Sequence, residues 1–255
     1  MNCLVDIWYL SGRHIRTRLR TPVWIFVSLV QPMIWLGIFS QLFKKVADLP
    51  QFPTESYLQF FAPGVVVMTV LFGAAWAGMG MIEDMDLGIL TKMLATPVTR
   101  VSIVLSRVLA TVITLIVQAL LIFLIATMMG VDIATGMAGV LLTVLVISLL
   151  GVGLAGLSNA LALLLRKSDP LVAVVSFVTM PLMFLSSAMI PSQMLPGWIE
   201  TARRFNPVDY AVESVRNLVV TGYEWGSLIP NILFLAAFAV VSVSLATAMF
   251  RIRAE

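Results

Sequence analysis

Long apolar runs, each closed at both ends by charge, set the pattern of this chain. Consecutive Asp, Glu, Lys or Arg residues leave six long charge-free gaps, over 21–43, 56–82, 108–131, 133–165, 170–199 and 225–250. Each can hold the ~20 apolar residues that carry a helix across a ~30 Å hydrocarbon core. Runs such as VLLTVLVISLLGVGLAGL (140–157) do not alternate, as the strands of a membrane barrel would. Backbone polar groups that face lipid must be satisfied within their own segment, so the spans are helices. The pattern predicts an all-α membrane protein, one domain over 1–255, with six transmembrane helices near 22–43, 60–82, 103–129, 137–165, 170–190 and 227–250.

The pieces between spans carry their own periodicity. In 1–20, Trp8, Ile15 and Leu19 share one helical face and Arg13, Arg16 and Arg20 surround the other. That is the signature of an amphipathic helix in the membrane interface, stopped before Pro22; it reads equally as a charged anchor or as a docking element. In 83–101, Glu83, Asp84 and Asp86 precede a Leu87, Leu90, Leu94 stripe on a short helix, which Thr96-Pro97 ends before a new helix starts near Thr99. Residues 191–224 are too polar to span. Pro196 can open one short helix, and Asp209 can cap a second whose Ala211, Val212, Val215, Leu218 and Val219 line up on one face before Gly222. These two helices form either a lid over the bundle or a structural cap. The 44–60 and 131–136 segments read as plain connections, and in RKSDP (166–170) Ser168 or Asp169 can cap the next helix with Pro170 at its first position.

Composition sharpens this reading. Hydrophobic residues make up 60% of the 255 and charged residues 11%, against roughly 45–50% and 25% in soluble domains. With six spans both termini lie on one side. That side holds Arg13, Arg16, Arg18, Arg20, Lys92, Arg100, Arg107, Arg166, Lys167, Arg251 and Arg253, which is 11 of the 16 Lys and Arg residues. The positive-inside rule makes it cytoplasmic. The net charge of +3 is then a topology signal, and no basic stripe interleaved with aromatics points to nucleic acid. The first apolar run begins after 20 residues and exceeds a signal-peptide core, so it is read as retained. The lone Cys3 excludes an internal disulfide framework.

Within the spans, Gly73 with Ala77, Ala74 with Gly78, Gly151 with Ala155 and Gly156 with Ala160 are small-xxx-small pairs that let helices approach closely. Pro32, Pro63 and Pro181 can kink or end helices. Met180, Met183, Met189 and Met194 either line an adaptable path or simply pack. Catalytic chemistry finds little support: His14 is the only histidine, so HExxH and His-based triads are absent, as is GxSxG. No charge lies in the middle of a span, where ion-coupled transporters place their carboxylates. GxxxxGK[ST] is missing too, so the chain has no P-loop of its own.

The segment EDMDLGILTKMLATPVTR (83–100) resembles the coupling-helix segment of ABC-2 type transport permeases, through Glu83, Gly88, Leu90, Leu94, Thr96, Pro97, Val98 and Arg100. The segment PLMFLSSAMIPSQMLPGWIETARRFNPVDYAVESVR (181–216) resembles the same family, through Pro181, Pro191, Pro196, Trp198, Asn206, Pro207, Tyr210, Glu213 and Arg216. The likeness leans toward the daunorubicin-resistance and nodulation-factor export permeases. One departure is EDMDLGI where the family often has E-R-E-x-G-T. The resemblance implies a permease subunit of an ATP-binding cassette exporter, with no cofactor in this chain. ATP and Mg would sit on a separate ATPase subunit, present in two copies beside a second permease, identical or related. In this reading Leu90, Met93 and Leu94 fill a groove on the ATPase, while Asp84 and Glu83 orient the segment or pair with Arg16 or Arg20, and Thr96, Pro97 and Arg100 close it. Trp198, Asn206, Pro207, Glu213 and Arg216 belong to the external lid, with an ion pair or lid contact from Glu213 and Arg216. The cargo implied is amphipathic or lipid-like, the direction outward, and the location the cell membrane of a prokaryote with both termini cytoplasmic. A motor-free channel or a membrane scaffold is the alternative.

Overall fold

Every long apolar run becomes a helix because lipid leaves the backbone no other way to satisfy its polar groups. The computed structural model describes residues 3–20, 22–49 and 52–253; the side chains of 3, 4, 18, 19, 22–26 and 253 are outside that description, and with them the placing of Leu19 on an apolar face. The described elements are α1 (Cys3–Leu19), α2 (Pro22–Leu42), α3 (Tyr57–Ala75), α4 (Met79–Asp86), α5 (Ile89–Leu94), α6 (Arg100–Met128), α7 (Gly136–Leu165), α8 (Ser168–Phe184), α9 (Gly197–Arg203), α10 (Pro207–Arg216) and α11 (Trp225–Arg253). Short 3₁₀ turns and one π turn complete them, and no strand occurs among the described residues. Four stretches are long and apolar enough to cross a membrane: Tyr57–Asp86, Arg100–Met128, Gly136–Leu165 and Trp225–Ile252. Val27–Leu42 and Ser168–Phe184 are shorter apolar helices.

The axis of the bundle is α3. From Phe60 to Leu71 every residue of it is buried, between α2, α6, α7 and α10. An apolar helix without a polar face must be enclosed on all sides by protein or lipid; here protein does it. Helices α7 and α11 pack along their lengths, and α1 lies along α6.

Small residues set the closest approaches. A Cβ on Gly78 would run into the backbone carbonyl of Ser158, one on Gly73 into the side chain of Leu115, and one on Gly156 into the backbone at Ser242–Val243. At Gly151 it would press on Leu115 at 3.3 Å. The Gly78 contact also explains a break. The Ser158 hydroxyl donates to the carbonyl of Ala75 and accepts from Gly78 N–H at 2.9 Å, so a foreign side chain enters the helical ladder. The helix tightens to 3₁₀ over Trp76–Gly78 before resuming as α4.

Two boundaries differ from expectation. The fifth apolar helix stops at Phe184 instead of 190: the carbonyls of Leu182 and of Leu185 just beyond it accept from the Asn206 amide in place of ladder N–H groups. At its start neither Ser168 nor Asp169 caps. The preceding helix closes with Arg166 in the left-handed region (φ 54°), Lys167 is extended, and Ser168 is already helical, which puts Pro170 third in the helix.

Candidate functional site

The 83–100 segment forms an elbow between two long helices. Its first arm, α4, ends at Asp86 with N–H bonds from Leu87 to Glu83 and from Gly88 to Met85. Gly88 then adopts φ 65°, a left-handed conformation that glycine takes without strain, and α5 starts at Ile89. Thr96 Oγ1 donates back to Met93 O at 2.6 Å. Thr99 caps α6 by accepting from Ser102 N–H at 3.2 Å, and Arg100 donates to the carbonyl of Arg251 in the last turn of α11 at 3.2 Å.

The two faces of α5 differ. Leu90 is buried, while Met93 and Leu94 are half-buried against the core. Leu87 is 70% exposed, and Thr91, Lys92, Ala95, Thr96 and Pro97 are exposed beside it. The stripe expected to face outward is therefore split: Leu90, Met93 and Leu94 root the helix in its own bundle, and Leu87 leads the free face.

Asp84 organises the base of the elbow. It is buried, with one carboxylate oxygen against the Arg107 guanidinium of α6 and the other 3.5 Å from Arg13 Nη2 of α1. The expected partners Arg16 and Arg20 are thus replaced by Arg13 and Arg107. Sequence separation hid the pairing: Arg107 stands about two helical turns into α6, and only the fold-back through 87–99 brings it to Asp84. Gly80 leaves room for Arg107, whose Nη1 would lie 2.9 Å from a Cβ there. Glu83, one residue earlier, is exposed.

Helix α1 is more than a surface float. Ser11 is buried and donates to Ser106 O of α6 at 3.1 Å, and Leu10 packs on the core. Trp8 does not join that face; it is 71% exposed, and Tyr9 beside it is exposed as well.

The opposite end of the bundle is built on Asn206, Asp209 and Arg216. Helix α9 opens after Pro196 as the spacing predicts, with Trp198 exposed on it. The cap of α10 is Asn206, not Asp209: its side-chain oxygen accepts from Val208 N–H at 3.0 Å, and Pro207 takes the first helical position. The Asn206 amide also donates to Leu182 O and Leu185 O, at 2.7 and 2.8 Å, closing the end of α8. Asp209 accepts from Ser187 N–H at 2.7 Å and pairs with Arg203 at 3.1 Å. Ala211, Val212, Val215, Leu218 and Val219 are all buried, as their shared face requires.

Arg216 directs its guanidinium inward to carbonyl oxygens of Ser187 (2.7 Å), Ala188 (3.4 Å) and Phe60 (3.4 Å), with its centre 3.8 Å from the Phe60 ring. Burial lowers its pKa to about 10, against the opposing pull of Asp209, Glu213 and Tyr57, so it stays charged at neutral pH. Its contacts tie α10 to the turn after α8 and to the start of α3. Burial, and then the Asp209 carboxylate, push Glu213 above the ordinary carboxylate range, while Arg203 and Arg216 oppose them.

Between the two ends, a cavity of about 850 Å³ opens among α2, α3, α6 and α8. Trp35, Phe72 and Met180 give it apolar walls, and Gln31, Thr69 and Gln118 place polar groups in them. Gln118 Nε2 donates to Ser28 of α2 at 2.6 Å. One end of the cavity reaches Glu83 and Thr17. Apolar walls with a few polar groups suit an amphipathic guest. The cavity escaped sequence reading because its lining comes from six separate helices. No cluster of His, Cys, Asp and Glu able to hold a metal occurs among the described residues.

The model of the ABC-2 type transporter family matches residues 5–220. The ycf38 protein of Cyanophora paradoxa, named as a transport permease, is 30% identical over 78% of this chain and 69% of its own length. The daunorubicin resistance ABC transporter permease protein DrrB1 of Streptomyces coeruleorubidus is 25% identical over the same shares. Nodulation protein J of Rhizobium leguminosarum bv. trifolii is 29% identical over 42% of this chain and 41% of its own.

Two predictions follow from the ends of the bundle. Asp84→Asn leaves the buried Arg107 without its counter-charge and should cost about 3 kcal/mol or more, read as a lower melting temperature in detergent. Adding Arg107→Met should recover part of the loss. A carboxyl whose pKa is raised on folding holds its proton more tightly folded than unfolded. Its contribution favours the fold at acid pH and is lost as pH rises from the ordinary carboxylate value through the raised one. Glu213→Gln should therefore flatten the fall in thermal stability over that window and leave the protein more stable at neutral pH.

Proposed function

The chain belongs to the ABC-2 type transporter family, and on that premise we propose that it is the membrane-spanning subunit of an ATP-binding cassette exporter. A separate ATPase subunit hydrolyses ATP with Mg, in two copies, and drives two permease subunits, this chain with a second copy or a related one. The reading has six spans, with α2 and α8 crossing beside the four longer helices, and both termini on the cytoplasmic side of a prokaryotic cell membrane. At about 1.5 Å per residue the 17 residues of α8 reach about 25 Å, and the turns at 185–190 lengthen the crossing. The domain is the whole 1–255 unit, with 1–20 as an interfacial helix, 83–101 as the coupling segment and 191–224 as the external lid.

The observation that carries the reading is the elbow. Helix α5 is held to its own bundle on one face through Leu90, Met93 and Leu94, and presents the other, led by Leu87, to solvent. A short helix rooted at its base is a rigid handle. Force applied to its free face passes through Asp84–Arg107 into α6 and through α4 into α3. Glu83, Gly88, Thr96, Pro97 and Arg100 shape the handle. Closure of the ATPase subunits on ATP moves the handle, and the two long helices behind it reshape the cavity between them.

The cargo in this reading is an amphipathic or lipid-like molecule: a drug, a lipid or a lipid-linked glycan. The volume of about 850 Å³ lies in the range of ligand sites, roughly 300–1,000 Å³, and its wall combines apolar area with amide and hydroxyl groups. In this reading Trp198, Asn206, Pro207, Glu213 and Arg216 belong to the external lid. Asn206 and Arg216 hold the turn that follows α8 through its carbonyl oxygens.

The test is co-purification from native membranes in mild detergent, with ATPase activity assayed for wild type, Leu87→Asp and Leu94→Asp. Wild type should bring down an ATPase. Leu87→Asp should insert normally and lose that activity roughly tenfold or more, the scale of a binding hot spot. Leu94→Asp should lose it with some loss of stability, since Leu94 also packs inward. A wild-type chain that comes down folded, alone and without hydrolysis would replace the exporter by a motor-free channel.

A further inference from the structure

The Gly88 elbow is braced from outside its own chain segment. Before the bend stands Asp84 and beyond it Met93, and a single side chain touches both. Arg13 of α1 places Nη2 3.5 Å from Asp84 Oδ1 and Nη1 3.9 Å from Met93 Sδ. The two arms of a guanidinium are fixed in one plane, so holding both contacts fixes the separation of the groups it touches. Gly88 itself offers no resistance: a Cβ there would meet nothing within 4 Å, and its φ of 65° lies in a region that glycine leaves easily. At its other end α5 runs into the non-helical 95–99, where Thr96 and Pro97 are exposed. The short helix is flanked by two non-helical joints, so its angle is set by the packing of Leu90, Met93 and Leu94 on the core and by the Arg13 contacts across the bend.

The contacts around the elbow are unequal. Asp84 with Arg107 is buried, at 12% and 8% side-chain exposure, whereas Arg13 is 37% exposed. Breaking a buried pair costs far more than breaking one that water can replace. The joint of α4 to α6 is therefore durable and the Arg13 contact releasable. Helix α1 itself is anchored on α6 through buried Ser11 and Ser106 O, so Arg13 reaches the elbow from a fixed base.

We propose that Arg13 is a releasable strut across the Gly88 elbow, gripping Asp84 before the bend and Met93 after it, so that α1 sets the angle at which α5 is presented. For transport the inference rests on the exporter reading; as a statement about the elbow it does not. The strut makes α1 part of the coupling apparatus and gives Arg13 a positioning role that Arg16 and Arg20 lack.

The test is amide hydrogen exchange on the purified full-length chain in mild detergent, with no ATPase subunit needed. Arg13→Gln should speed exchange across 87–95 by about threefold or more, the mark of a local opening, while 100–128 stays as in wild type. Arg20→Gln should change neither. Arg13→Lys keeps the charge beside Asp84 and loses the fork, so it should leave 79–86 as in wild type and 89–94 faster than wild type. Unchanged exchange over 87–95 in Arg13→Gln would overturn the strut, as would a rise spread evenly over the bundle. If Arg13→Gln does not fold, Arg13→Lys decides by the same two regions. Failure of an ATPase to co-purify sinks the exporter reading and leaves this result standing.

Discussion

Hydrocarbon cannot satisfy a backbone polar group, and that constraint arranges the rest of this molecule. It forces the apolar runs into helices, confines charge to their ends, and so gathers the ionic groups at two levels of the bundle. At each level helix ends need partners, and the same side chains that satisfy them determine what the ends can do. Asp84, Arg107 and Arg13 gather at the 83–100 elbow. Asn206, Asp209 and Arg216 gather at the turn after α8.

The two levels are joined by one helix and built differently. Phe60, under the Arg216 guanidinium, stands near the start of α3, and Asp84 near the end of its continuation in α4. At the Asp84 end the bond is ionic, between side chains of three helices. At the Arg216 end a cation answers carbonyl oxygens that an interrupted helix has left open, and Asn206 does the same with an amide. Ser158 breaks the connecting helix in its last third by entering its ladder, which gives the connection a joint without a proline. The cavity lies alongside it, so movement at either end of this helix bears on the cavity wall.

Much of the fold was legible in the sequence and much of the site was not, for a physical reason. Membrane helices declare themselves locally, through charge-free length, and so do the helix start near Thr99 and the buried face of α10. The ends were misread where tertiary contacts decide them. Asn206 outcompetes Asp209 as a cap because Asp209 is already engaged by Ser187 and Arg203. The helix after Arg166 starts without a side-chain cap, and the end of α8 is closed by Asn206, far along the chain, whose amide donates to the carbonyls of Leu182 and Leu185. The apolar stripe in 83–100 is legible by its period, yet periodicity cannot say which face a two-turn helix turns to its own bundle. Leu90 inward and Leu87 outward is a result of packing. Arg13 and Arg107 carried no local signal as partners of Asp84, since nothing in their neighbourhoods distinguishes them from Arg16 or Arg20.

The central claim is that the free face of the 83–100 elbow is gripped by an ATPase. The most direct measurement is photo-crosslinking in native membranes from a probe at Leu87, compared with the same probe at Phe177, which is 79% exposed on α8. The account predicts an adduct at Leu87 whose partner is identified as an ATPase with a P-loop, and lipid or no protein adduct at Phe177. No adduct at Leu87, or the same protein partners at both positions, would contradict it.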